Sequence, residues 1–381
     1  MKVILGCDPL LAPLTGIGQY TNELAKGLNK STEIDCLKFF AHGKFYTEDI
    51  IQIEGCESTK NFDSPSSLNF FGKLRATLSK SGLMVSAYGK MIPIFEKYKL
   101  KEYKNCILHS PNFILPEFEG KKVVTIHDLS TVKFPEFHPK ARVNFVNQAI
   151  DKSIKSAAHI ITDSEFIKSE LIRDFCVKED SISAIHLGVN DTFYPRKQEQ
   201  CAHILEHYKL DYSNYFLFVS TIEPRKNLLR LLTAFENYRK KNQQGIPLII
   251  IGSEGWNSAE EHKKIKELVS KGWVKYFGYV PQAHLPIIYS GAKAMLFPSL
   301  YEGFGLPVAE ALQSGIHVMT SVNSSMSEFA KYNTLLVNPF DIDDIEKNIY
   351  QLSQCSNKNI TIQYFDWRKT CDDVIAVYKK L

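Results

Sequence analysis

Short apolar runs alternate along this chain with longer segments in which apolar residues return every three or four positions. That rhythm predicts strands joined through helices. In the first half the runs cover 2–7, 34–40, 107–110, 123–127, 160–164 and 181–185, with a helical pattern over 18–28. After Leu187-Gly-Val-Asn-Asp-Thr-Phe-Tyr-Pro195 and a charged stretch the rhythm restarts, with strands over 215–220, 247–252, 274–278 and 294–298 and helical patterns over 228–240, 260–271 and 285–291. Alternation of this kind builds a parallel sheet with helices on both faces. Neither half shows tandem repeats or low complexity, so the economical architecture is α/β, two doubly wound domains facing one another across a cleft. The boundary is expected near Pro195, giving domains over 1–195 and 196–363, with a last helix over 364–381 that packs back on the first.

Length and composition agree with this layout. At 381 residues and 44% hydrophobic the chain has enough apolar material for two cores. No run approaches the roughly 20 apolar residues of a membrane span. Met1-Lys-Val-Ile-Leu-Gly leads into a strand rather than a cleavable signal, so a cytoplasmic location is expected. The eight cysteines are scattered without a Cys-x-x-Cys pair, which suggests neither a zinc cluster nor a disulfide framework. A net charge of +4 is too small to argue for nucleic acid, but its distribution is uneven. Residues 70–104 hold eight lysines and arginines against Glu96 and Glu102, interleaved with Phe70, Phe71, Leu74, Leu78, Met84, Ile92 and Phe95. Two readings stay open: helices lying on an anionic membrane surface, peripheral on its cytoplasmic face, or ordinary Lys-rich surface helices.

The most informative stretch is Pro298-Ser-Leu-Tyr-Glu-Gly-Phe-Gly-Leu-Pro-Val-Ala-Glu310, where Glu302 and Glu310 stand with seven residues between them. Pro307 suits the first helical position and Gly315 the left-handed residue past the helix end, so a short helix is predicted between them. Glu302 then lies in the loop before the helix and Glu310 about one turn inside it. Gly303 and Gly305 let a ligand approach bare backbone, and free N–H groups at the helix start attract an anion. Two carboxylates beside an anion site make electrostatic sense when they contact something neutral and rich in hydroxyls. A nucleotide sugar offers both a ribose and a hexose.

Three further motifs bear on chemistry. In Ser220-Thr-Ile-Glu-Pro-Arg-Lys-Asn-Leu228 a strand runs into adjacent cations before a helix, a poor arrangement against the helix dipole and a good one for a diphosphate. Arg225 and Lys226 would stabilise the charge that grows on a departing nucleoside diphosphate without a metal. Thr15-Gly-Ile-Gly-Gln-Tyr-Thr21 opens the first helix; Gly16 and Gly18 could receive phosphates or simply make a tight turn. Thr21, where the dinucleotide fingerprint wants Gly or Ala, argues against hydride transfer. His127 and Asp128 end a buried strand in Val123-Val-Thr-Ile-His-Asp-Leu129. His127 could bond a donor-sugar hydroxyl or be satisfied by Asp128 or a nearby carbonyl. Asp341-Ile-Asp343 is read as a helix cap, and nothing else suggests a metal.

Together these pieces resemble the retaining GT-B glycosyltransferases of family four over nearly the whole chain. Glu302 and Glu310 are similar to that family's paired glutamates, and Glu223-Pro-Arg-Lys-Asn227 to its diphosphate loop. Gly16 to Tyr20 and His127-Asp128 are similar to first-domain motifs of its mannosyltransferase branch, particularly bacterial enzymes of O-antigen or exopolysaccharide synthesis. Gln19 stands where many relatives carry Arg, and Ser220 where Gly is common. The resemblance implies two Rossmann-like domains, the first for the acceptor and the second for the donor. It implies Glu310 on the ribose, Glu302 on the hexose, the amides of Phe304, Gly305 and Leu306 around sugar and phosphates, and Gly252 and Val280 bordering the base. It also implies transfer of mannose from GDP-mannose to a lipid-linked oligosaccharide with retention, without a metal or other cofactor. Alternatives are the same fold with UDP-glucose, UDP-GlcNAc or a deoxysugar nucleotide as donor, a nucleotide-sugar epimerase, and a nonenzymatic partner in a polysaccharide-synthesis complex. Acceptor pockets are expected on loops such as 130–139, where Phe134, Phe137 and His138 could stack on sugar or simply pack.

Overall fold

A computed structural model describes residues 1–11, 16–51, 95–355 and 362–381. Most of the basic segment singled out above, residues 70–94, lies outside them. The chain forms two compact units: Met1–Ile126 with Ala149–Ile161 and Cys371–Leu381, and His127–Gln148 with Thr162–Thr370.

The first unit carries six strands of a seven-stranded sheet, in the order β3-β2-β1-β4-β5-β6. They are β1 (Lys2–Gly6), β2 (Cys36–Ala41), β3 (Lys44–Tyr46), β4 (Ile107–Ser110), β5 (Lys121–Ile126) and β6 (His159–Thr162). β1 pairs in parallel with β2 and β4, and β4 with β5, as the helix-separated apolar runs required. β3 is an addition: it returns antiparallel to β2 through His42 and Gly43 at φ 49° and 74°. A two-residue loop with both residues at positive φ matches the right-handed strand twist, so this is a tight hairpin. The helix Trp367–Lys379 ends in this unit. Tyr378 reaches His109 Nδ1 at 2.5 Å, while His109 Nε2 meets Thr125 Oγ1 at 2.9 Å and Tyr20 bonds the same hydroxyl at 3.0 Å. Buried polar groups need such partners. Gly27 makes the close approach possible, since a Cβ there would stand 2.2 Å from Cys371 Sγ.

The short seventh strand, β7 (Ile182–Ala184), falls among residues of the second unit. That unit's own six-stranded sheet runs β10-β9-β8-β11-β12-β13. Its strands are β8 (Phe216–Val219), β9 (Leu248–Ile251), β10 (Val274–Phe277), β11 (Ala294–Phe297), β12 (His317–Ser321) and β13 (Thr334–Val337), and all pairings are parallel. β9 reads Leu-Ile-Ile-Ile and is buried at every position, as expected of a strand covered on both faces. Each such side chain contributes about 1.5–3 kcal/mol of burial free energy. β8 lies between β9 and β11, so chain order reverses there and the loops leaving β8 and β11 diverge to make a crevice. The Arg225-Lys226 loop follows β8 and the Glu302 loop follows β11. Asp341 caps the helix Ile342–Gln354 as anticipated, accepting from the amides of Asp343 and Asp344.

Candidate active site

The loop after β8 is set by its residue types. Glu223 is extended, Pro224-Arg225-Lys226 forms one 3-10 turn, and Asn227 is left-handed at φ 58°, a conformation Asn tolerates better than most residues. Asn227 Nδ2 then donates to the carbonyls of Pro298 at 2.9 Å and Pro339 at 2.7 Å. The Leu300 amide donates to the Arg225 carbonyl at 2.9 Å. The two motifs are thereby locked together by backbone, and their side chains cannot avoid one another.

Lys226 Nζ donates to Glu302 Oε1 at 2.6 Å, and Arg225 Nη1 to Glu302 Oε2 at 3.0 Å. Ser299 Oγ adds a bond to Oε1 at 2.8 Å. Arg225 also spends Nη1 on the Tyr301 carbonyl at 2.7 Å and Nη2 on Glu223 at 2.8 Å, which leaves only Nε buried without a partner. Among the described residues Lys226 uses one of its three ammonium protons, on Glu302. Burial opposes ionisation of Glu302, but Arg225 and Lys226 outweigh it and hold the carboxyl below its ordinary range. Burial and the neighbouring Arg225 lower Lys226, while Glu302 pulls the other way. For Arg225 the carboxylates of Glu302, Asp128 and Glu223 outweigh burial, and the guanidinium stays charged.

Glu310 stands apart from this cluster. The helix Leu306–Gln313 begins one residue earlier than predicted, so Pro307 is its second residue, where a missing N–H is equally harmless. Gly305 precedes it at φ 95° with no side-chain cap, and Gly315 follows at φ 74° in the left-handed conformation expected. Gly305 offers no side chain to cap the helix start, and the Val308 and Ala309 amides bond the Gly305 carbonyl instead. Burial pushes the Glu310 carboxyl up to about 7. The Tyr289 hydroxyl lies against it but outside hydrogen-bonding geometry.

His127 follows β5 and turns Nδ1 to the buried Asp163, 2.7 Å away. Asp163 was not anticipated; its only signal was a polar residue at the end of the buried run 160–164. Burial raises its carboxyl against the pull of His127, and its Oδ1 has no partner. Burial likewise opposes Asp128, but Arg225 and bonds from Ser130 hold it below the usual carboxylate range. The His127 backbone runs so close to Gly303 that a Cβ there would sit 1.8 Å from the His127 carbonyl oxygen. Ser164 Oγ donates to the Gly303 carbonyl at 2.7 Å and Ser325 Oγ to that of Glu302 at 2.8 Å.

Of the predicted residues, Arg225, Lys226 and Glu302 share direct bonds, and His127 adjoins them through Gly303. Phe304 is buried, and with Gly305 and Leu306 it links Glu302 to the Glu310 helix. Gly252 has a backbone reason to be glycine: φ is 148° and a Cβ would meet the Ser220 carbonyl oxygen at 1.8 Å. Val280 is buried, while the adjoining Tyr279 is 85% exposed and carried no signal in the sequence. Gly16 and Gly18 lie in the first turn of the helix Gly16–Lys30 of the first unit.

Two doubly wound sheets, one with cations clasped to a carboxylate at its switch point, define an α/β class suited to nucleotide-linked substrates. The model of the family described as glycosyl transferases group 1 matches residues 206–364. O-antigen chain mannosyltransferase B of Escherichia coli is 36% identical over 389 residues, covering 100% of both chains. O-antigen chain mannosyltransferase RfbU of Salmonella typhimurium is 28% identical over 235 residues, 61% of each chain. Among solved structures, a sucrose-phosphate synthase from Thermosynechococcus elongatus superposes with a TM-score of 0.64 at 18% identity, covering 100% of this chain and 98% of that one. The chain belongs to the group 1 glycosyltransferases, and its two Rossmann-like domains are of the GT-B type. The family and fold class read from the motifs are thereby borne out.

Proposed function

We propose that this enzyme transfers mannose from GDP-mannose to a lipid-linked oligosaccharide in bacterial O-antigen synthesis, with retention of anomeric configuration. The full-length relationship to an O-antigen chain mannosyltransferase supports the sugar and the pathway. The observation that carries the mechanism is the clasp of Lys226 and Arg225 on Glu302 at the β8–β11 switch point. In this reading the ammonium protons that Lys226 keeps free take the leaving diphosphate. Arg225, whose fork is committed to protein, fixes the position of Glu302 and adds positive field. Glu302 receives hexose hydroxyls, Glu310 the ribose diol, and His127 a further hexose hydroxyl. The amides of Phe304, Gly305 and Leu306 face sugar and phosphates, and Gly252 and Val280 border the base.

Glu302, the carboxylate of the clasp, is already held by two cations and a hydroxyl and is not free to attack the anomeric carbon. The acceptor oxygen therefore approaches on the same face as the departing diphosphate. A phosphate oxygen takes the acceptor hydroxyl's proton as the glycosidic C–O bond to phosphate breaks and the new one forms. Cations fixed beside the phosphate stabilise that charge with no metal required.

Purified protein given GDP-mannose and short synthetic mannosides, with NMR of the product, tests this directly. An α-linked mannose on the acceptor is expected. Transfer from a UDP-sugar instead, or a β-linked product, would overturn the donor or the stereochemistry. Among the described residues no helix is long and apolar enough to cross a membrane. Association with an anionic membrane surface through 70–104 remains part of the proposal, and equal weak binding to anionic and neutral liposomes would reject it.

A further inference from the structure

Tyr301 is 2% exposed and stands directly before Glu302, in the loop that completes the clasp. Its two ends meet different parts of the second unit. The backbone carbonyl accepts from Arg225 Nη1 at 2.7 Å, and the same nitrogen donates to Glu302 Oε2 at 3.0 Å. The hydroxyl, at the far end of the ring, donates to the carboxylate of Glu170 on the helix Glu165–Phe175. The Leu129 amide, two residues past His127, lies beside the same hydroxyl.

Glu170 is 5% exposed, and a glutamate so deeply buried needs partners for its charge. Lys133 Nζ stands 3.2 Å and Arg173 Nη2 3.5 Å from Oε1, while Oε2 takes the Tyr301 hydroxyl. Lys133 is itself held by Asp174 at 2.5 Å. Around the phenol, the Phe134 and Phe166 ring centroids lie 5.6 Å and 6.1 Å from that of Tyr301. Burial and the Glu170 carboxylate raise the phenol above its ordinary value, so the hydroxyl keeps its proton and donates. Those aromatic contacts would be served equally by phenylalanine. What the hydroxyl adds is direction: a bond to a charged acceptor fixes both torsions of a stiff side chain, and with them the place of the backbone that orients Arg225 and carries Glu302.

We propose that Tyr301, anchored by Glu170, is a positioning residue that sets the Arg225–Glu302 clasp for the donor hexose. The inference rests on the glycosyl-transfer reading above and deepens it by extending the donor machinery to a buried pair that touches no substrate.

Tyr301→Phe tests it, because the variant keeps the ring and its apolar contacts and removes only the anchoring bond. Calorimetric titration of the intact protein with GDP and with GDP-mannose gives the readout. Glu302 meets the hexose alone, so the ratio of the GDP-mannose Kd to the GDP Kd should rise about tenfold, the worth of one well-made hydrogen bond. GDP affinity should stay within twofold of the parent, since Lys226 sits on the other loop, held by Asn227. The kcat for mannosyl transfer should fall about tenfold or more, as small misplacements of reacting groups do. Glu170→Gln should shift the ratio in the same direction, and the double variant should be no worse than Tyr301→Phe alone, because the two residues make one bond. A ratio and kcat within twofold of the parent in Tyr301→Phe overturn the proposal. So do equal losses of GDP and GDP-mannose affinity, the mark of a merely structural residue, and simple addition of the two effects in the double variant. Failure of the donor assignment reads differently: the parent then uses a UDP-sugar, and the UDP-sugar to UDP ratio shows the expected shift in the variants.

Discussion

Replacing Glu310 by Gln should make the protein more stable, and more so as the pH rises. The carboxyl is an ordinary acid in the unfolded chain, near 4.5, and is pushed up to about 7 in the folded one by burial. Its folded value is raised, so the stability it contributes is fully present below pH 4.5 and is lost as pH climbs to about 7, after which the loss is constant. A difference of that size corresponds to about 3 kcal/mol at pH 8, and less than about 1 kcal/mol near pH 5. The figure is an upper limit because the carboxyl is partly reached by solvent. Glutamine keeps the shape and carries no charge at any pH, so the variant should lack this loss. All three tryptophans, Trp256, Trp273 and Trp367, lie in the second unit, and their fluorescence in urea therefore follows the unit that holds Glu310. The expected result is a gap of less than about 1 kcal/mol at pH 5 that widens to as much as about 3 kcal/mol at pH 8. GDP binding should run the other way, strengthening in the parent between pH 6 and 8, because an ionised carboxylate is the better acceptor for ribose hydroxyls, and staying flat in the variant. A stability gap that does not change with pH would refute both the raised carboxyl and the argument built on it.

Other perturbations separate the parts of the site. Lys226→Ala should lower turnover about 10²-fold or more with the fold intact by circular dichroism, since one transition-state contact is commonly worth that much; near-normal activity rejects the role in diphosphate departure. Glu302→Gln leaves two cations without their shared carboxylate and should cost about 3–5 kcal/mol in the same urea assay, more than any exposed ion pair here would. Asp163→Asn replaces the anion facing His127 Nδ1 while keeping the space filled; turnover should drop and its acid limb shift, whereas a purely structural aspartate would leave the pH profile where it was. Gly303→Ala forces a Cβ to 1.8 Å from a backbone oxygen and should abolish soluble expression or shift the Glu302 loop enough to lose nucleotide binding, with unchanged GDP affinity as the contrary result.

The short-range parts of this protein were legible in the chain. Apolar runs separated by helical patterns fixed parallel sheets, because buried strands and amphipathic helices have different periods. Gly315 and Asp341 announced their helix ends through conformations and bonds that few other residues supply. The paired glutamates and the Arg225-Lys226 loop could be read as a donor site because their residue types conflict with a bland loop. What the chain could not state was which charged groups would share one bond network. Arg225 and Glu302 are 77 positions apart and meet because β8 and β11 are neighbours. His127 and Asp163, 36 positions apart, pair because two strand ends deliver them to one place. The same holds for the buried His138, whose ring nitrogens find no hydrogen-bond partner among the described residues. Local sequence sets backbone conformation through sterics and hydrogen bonds within a few residues, whereas burial and charge pairing depend on distances that exist only once the sheets have formed.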